Sequence, residues 1–340
     1  MLVTEVKPGF LHQDDSSPEN LLKLAKYTGD ERYIGLAEAK LAQLDATPER
    51  ELLRIEILHA RHAFKAGEKA LHALLLQQPE NRKALLMLAA NQRQRGLIKK
   101  AKQSCTRLLF LDQALSQDCL YAATLGQSQQ RFKLSDKQPG QAENNLWRDL
   151  LRAENAEIQG NTESAQNIYQ SIWRRSEPIT IEAWLQYAHF LKREGENYQL
   201  KKLLRFAPAN PELMALRATV DTRVDVEGLS QQIAMQERHP FARNHAAEIA
   251  WFHHLHSSSP QWALHWARIN WQTQRSLRDA ELLAKTALVA GEQAPLIKLK
   301  AWMTHHNIED QRLQELLQNA PLQQDLGDIK HHLLGRDNNS

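Results

Sequence analysis

Residues 81–112 read NRKALLMLAANQRQRGLIKKAKQSCTRLLFLD, and their spacing decides the fold. Leu85, Leu88 and Ala89 recur at the interval of an amphipathic helix. A polar turn follows over residues 92–96, and a second helical pattern runs through Ile98, Ala101, Cys105, Leu108 and Leu109. Small residues stand at Ala89, Gly96 and Ala101. Two antiparallel helices approach closely only where some crossing positions lack bulk, and Gly96 tolerates the left-handed backbone of a tight turn. The stretch predicts a helical hairpin.

The rest of the 340-residue chain favours the same unit. Thirteen Gly and twelve Pro leave long segments free of helix breakers, and the common residues are good helix formers. A stack of hairpins suits this length, because each unit packs on its neighbours rather than on one large core. The formal charge is +3, from 43 basic and 40 acidic residues, so no strong field draws nucleic acid. The longest apolar run, residues 84–90, is far shorter than a membrane span. Residues 1–20 hold no apolar core of a signal peptide, which places the chain as written in the cytoplasm.

The chain divides by composition. Residues 1–16 form an irregular lead-in, and Ser17 before Pro18 marks the first helix start. Hairpins then run over residues 17–126. Residues 127–143, rich in Ser, Gln and Lys with Pro139 and Gly140, read as a loop between two arrays. A second array spans residues 144–320 and holds all eight Trp. Beyond Pro211, helices are expected near residues 212–221, 226–236, 241–256, 261–273, 277–290, 294–305 and 310–320. The tail, residues 321–340, carries one short helix over 326–334 and a frayed end.

The small residue of Ala89, the turn at Gly96 and the small residue of Ala101 resemble the tetratricopeptide (TPR) pattern. Ala153, Gly160, Ala165 and Tyr169 repeat it, as do Trp184, Ala188, Leu191 and Gly195, although Leu200 stands where Ala is usual. The likeness implies an all-α, TPR-like solenoid of helical hairpins, wound as a right-handed superhelix without a sheet. Residues 29–44 (GDERYIGLAEAKLAQL), 61–64 (RHAF), 81–105 and 263–291 also resemble a narrower bacterial group of TPR proteins, often encoded beside membrane proteins of the HupE/UreJ type. That resemblance implies no catalytic activity. It implies a protein partner, a membrane protein or its complex among the candidates, and, because some relatives are exported, a periplasmic alternative should the start be incomplete.

The expected function is a non-catalytic protein-interaction scaffold that holds a peptide or helix of a partner on its concave face. First helices of the hairpins would line that face through Asn91, Arg95, Glu154, Glu157, Gln186, His189 and Lys192. Their mixed polarity predicts recognition by hydrogen bonds and charge. No cofactor, metal or small-molecule substrate is expected. An RNA-binding surface is the alternative, which the near-zero charge disfavours. The order Lys-x-x-x-Asn, whose two side chains clamp chaperone tails in some TPR proteins, does not occur.

Three further groups have two readings each. Glu56, His59 and His62 share a helix face but lack a fourth metal ligand, and read as a solvated edge. His245, His253, His254, His256 and His265 lie near Trp251, Trp262, Trp266 and Trp271, either as a titratable groove or as filling between helices. Cys105 and Cys119 sit symmetrically about a turn. They are two buried thiols, or they are a bridge that points to an oxidising compartment.

Overall fold

Helix starts in this chain are set by side chains. Ser17, Thr47, Asn81, Thr180, Asn210 and Ser276 each accept a hydrogen bond from a backbone N–H in the following first turn. Each such cap stabilises its helix by about 1 kcal/mol. The computed structural model describes residues 16–128, 132–135, 142–175 and 178–318. The expected lead-in, most of the expected loop and the expected tail helix therefore lie outside the described residues.

Among those residues the chain is all-α, with eighteen α-helices and no strand, and 75 % of the residues helical. Four pairs open the order: α1 (Pro18–Thr28) with α2 (Arg32–Leu41), α3 (Pro48–Ala60) with α4 (Phe64–Gln77), α5 (Arg82–Gln94) with α6 (Ile98–Arg107), and, after α7 (Gln113–Ala123), α8 (Ala142–Ile158) with α9 (Thr162–Trp173). Then come α10 (Ile181–Arg193) with α11 (Asn197–Leu204), and α12 (Pro211–Ala218) with α13 (Val226–Arg238). The last are α14 (Ala246–His256) with α15 (Pro260–Thr273), α16 (Leu277–Val289) with α17 (Gln293–His306), and α18 (Gln311–Gln318).

Helices pack on their chain neighbours, and first helices also touch the next first helix, as α10 does α12 and α14 does α16. Ala101 and Ala165 are fully buried at their crossings. Cys105 on α6 and Cys119 on α7 are joined by a disulfide, with Cα atoms 5.4 Å apart, inside the core that holds Leu85, Leu88 and Leu108.

The chain then returns against itself. α1 touches α10, and α8 touches α18. The Arg275 N–H donates to the Gln94 carbonyl at 2.7 Å, and the Glu309 N–H donates to the Gly126 carbonyl at 2.8 Å. An isolated antiparallel bridge pairs Gln127 with Ile308. Turn glycines make room for this return. A Cβ on Gly96, whose φ is 72°, would stand 2.9 Å from Cβ of Arg275. One on Gly160 would stand 1.9 Å from the Gln311 side chain. The neighbours-only packing expected of a hairpin stack is thus exceeded. One apolar cluster joins Ile98 and Tyr121 to Trp251, Leu283 and Leu313. No described helix is long and apolar enough to cross a membrane.

Candidate functional site

Because the chain returns on itself, the first helices of its hairpins converge. They enclose a cavity of about 500 Å³, lined from the α3–α4 turn and from α5, α8, α10, α12, α14, α16 and α18. The lining mixes apolar side chains with eleven charged ones, seven acidic and four Arg. On α8, Glu157 accepts from the Tyr169 hydroxyl at 2.5 Å, from Arg312 at 3.1 Å and from Arg193. Arg193 also reaches Glu281 at 3.2 Å, and Lys285 holds Glu281 at 2.6 Å. Across the cavity, Glu212 pairs with Arg278 and lies 2.5 Å from His189 Nε2. Looser pairs, Arg278–Glu182 and Arg93–Glu154, are 3.6 Å apart.

Glu157, Glu212 and Glu281 are buried, which is costly for a charge unless it has partners. Burial opposes ionisation of Glu212, but Arg278 and His189 outweigh it and hold the carboxyl at about 2. Burial likewise opposes Glu281, which Lys285 and Arg193 keep well below the usual carboxylate range. At Glu157 burial prevails over Arg193 and Arg312, and the pKa is raised. The histidines are pushed toward neutrality. Burial lowers His59 to about 4 and lowers His62 and His189 as well.

Five of the seven residues expected on the concave face line this cavity: Asn91, Glu154, Glu157, Gln186 and His189. They are not the open surface that reading pictured, for Asn91, Glu157 and His189 are buried. Asn91 is held by the α3–α4 hairpin, whereas Arg312 on α18 reaches Glu157, and Glu212 on α12 and Trp251 on α14 cover His189. Arg95 and Lys192 lie outside the lining. Arg95 instead pairs with Glu68 on α4, and Lys192 is half-buried.

Sequence reasoning missed Arg193, Glu212, Arg278, Glu281 and Arg312; it named His59 and His62 only as a solvated edge and Trp251 only within the Trp and His group. One signal was present. In the α3–α4 turn His62 takes a φ of 53°, where the α5–α6, α8–α9 and α10–α11 turns use glycine. A non-glycine residue held there is strained, and such strain persists where the surroundings hold the residue in place. His62 Nδ1 meets the Gln274 amide at 3.0 Å across the return of the chain. Glu56, expected on the same edge, bonds Lys83 at 2.6 Å instead. Among the described residues no three His, Cys, Asp or Glu side chains are placed to hold a metal ion.

Two amide side chains define what the cavity lacks. Asn91 Nδ2 donates to the Phe64 carbonyl at 2.9 Å and to His59 Nε2 at 2.8 Å, which fixes the amide orientation. Asn91 Oδ1 has no donor. Gln186 Nε2 donates to Glu182 at 3.0 Å, and Gln186 Oε1 also has no donor.

No known family model and no curated protein matches this chain. Its function therefore has to be read from the geometry.

The Trp and His residues grouped in the sequence are divided by the fold. Trp251 on α14 lines the cavity, with the His189 ring 4.3 Å from its own. Trp266 on α15 is core. Trp262 is exposed on the outside and stacks on His265 at 4.8 Å with the rings nearly parallel. Trp251, Trp262 and Trp266 thus face the cavity, the solvent and the core respectively, so they form no single groove.

Proposed function

We propose that this protein is a TPR-like, right-handed helical-repeat scaffold without catalytic activity or cofactor. A segment of a partner protein enters its inner surface. The observation that carries the reading is the cavity itself, lined by first helices drawn from nearly the whole chain. Pockets of this size with fixed polar groups accept a few side chains rather than a long helix. The carboxylates of the lining speak against RNA, whose phosphates they would repel. A partner in or beside a membrane remains part of this reading, on the resemblance alone. The bridge between Cys105 and Cys119 supports the oxidising-compartment alternative.

Site-specific photocrosslinking in the native host tests it. A photoreactive residue at Glu182, whose side chain is 57 % exposed at the cavity mouth, should capture one discrete protein. The same residue at Lys69, exposed on α4, should not. Capture from Lys69 alone, or from neither position, overturns the proposal.

A further inference from the structure

The lining of the central cavity is out of charge balance. It carries seven carboxyl groups against four guanidiniums, an excess of two negative charges even with Glu157 protonated. Ionised groups just outside do not correct it. Lys285, which holds Glu281, is set against Asp310, which holds Arg312. His245, which touches Glu248, is set against Glu31. The three lining histidines are held toward neutrality by burial and supply no compensating charge.

A second observation points the same way and is independent of charge. The orphaned atoms that belong to lining residues are both acceptors. Asn91 is 1 % exposed and leaves Oδ1 without a donor. Gln186 leaves Oε1 without one. A buried acceptor left unpaired costs about 1–3 kcal/mol, and neither amide can be turned round without breaking its own donated bonds. An anion would offer these oxygens no hydrogen, and would meet the excess carboxylates besides.

We infer that the cavity is a binding site for an organic cation rich in N–H donors, an ammonium or guanidinium group, entering past Glu182. Resting on the inner-surface reading above, this assigns the chemistry that surface recognises. Such a group supplies both missing elements at once: positive charge for the carboxylates and hydrogens for Asn91 Oδ1 and Gln186 Oε1. The chemistry has two sources, a free polyamine or a Lys- or Arg-bearing segment of a partner. The cavity, at about 500 Å³, has room for either.

Isothermal titration calorimetry on the full chain tests the inference, with spermidine, an amidated Arg-Arg dipeptide and, as the anionic control, inorganic phosphate. Both cations should bind and phosphate should not. Glu182→Gln removes one charge at an exposed position and Gln186→Leu removes one acceptor at a partly buried one, and each should weaken cation binding about tenfold. Glu163→Gln, exposed on α9, should leave it unchanged, and circular dichroism checks that every variant keeps its helix. Tighter binding of the dipeptide assigns the site to a partner segment, and tighter binding of spermidine assigns it to a free polyamine. Absent cation binding, preferred phosphate binding, or equal effects of the Glu182 and Glu163 substitutions overturns the site. If cations fail while the Glu182 crosslink persists, only this inference falls. If cations bind without a crosslink, only the scaffold reading falls.

Discussion

Arg312 on α18 reaches the Glu157 carboxylate on α8 at 3.1 Å, across 155 residues of chain, while its other nitrogens grip Asp310 at 2.5 Å. The two carboxylates are 5 % and 0 % exposed. This guanidinium ties the end of the described chain to its middle, so it closes the cavity from one side. Arg312→Leu leaves buried carboxylates short of a partner, and removal of one member of such a network costs roughly 3–5 kcal/mol. Urea denaturation should show that loss. A change below about 1 kcal/mol would mean the closure is held by apolar packing of α18 alone.

Stability should fall as the pH drops from about 6.5 toward 4. Burial lowers His59 to about 4, so the folded state binds fewer protons than the unfolded chain across that window. The geometry is consistent with a neutral ring, since Asn91 donates to His59 Nε2 and a proton there would set hydrogen against hydrogen. Burial also lowers His254 to about 4, and the two contributions run in the same direction. Below the histidine window Glu212 takes over. Its folded pKa of about 2 lies under the ordinary carboxyl value, so the stability it supplies is lost as the pH falls from about 4.5 to about 2. Thermal midpoints measured from pH 7 to 3 on the wild type and on His59→Gln should show a shallower slope in the variant above pH 4. Parallel curves would exclude His59 as a source of the slope.

The helices were legible because each is written locally. The expected spans 261–273, 277–290 and 294–305 differ by a residue or so from α15, α16 and α17. Starts shifted where a cap or a tight turn outranked the apolar period. Asp112 accepts from Leu115 N, and α7 starts at Gln113 directly after this cap. Near residue 241 the chain first makes a 3-10 turn, and α14 begins only at Ala246. The site was harder. Asn91, Glu157 and His189 could be named as first-helix positions, but Glu157 meets Arg312 on α18 and His189 meets Trp251 on α14, and periodicity carries no record of contacts at that range. His62 at a turn where other hairpins use Gly was the one local trace.

Ala101→Leu and Ala165→Leu should each destabilise. Both alanines are fully buried, one against the core of α5–α7 and the other against that of α8–α12. A leucine forced into either crossing has no space, and overpacking of this kind costs roughly 1–3 kcal/mol. Differential scanning calorimetry should place both variants below the wild type. Two unchanged midpoints would mean these positions are not crossing points.

The last prediction concerns the disulfide between Cys105 and Cys119. It ties consecutive helices across a sequence separation of 14 residues and lies in a core whose other members are Leu, Ile and Ala. Closing a loop of that length restricts the unfolded chain and stabilises the fold by roughly 3 kcal/mol. The neighbouring Ser116 hydroxyl already bonds the Cys105 carbonyl at 2.9 Å, so the α6–α7 turn keeps a tether without the bridge. A Cys105→Ser, Cys119→Ser double variant should therefore remain helical, yet unfold at lower urea than the wild type by about that margin. Reducing agent should lower the wild-type midpoint to a similar extent and leave the double variant unchanged. Thiol counting on denatured, non-reduced protein should find none in the wild type. Two reactive thiols, together with a reductant-insensitive midpoint, would show that the pair stays reduced and contributes only as small core residues.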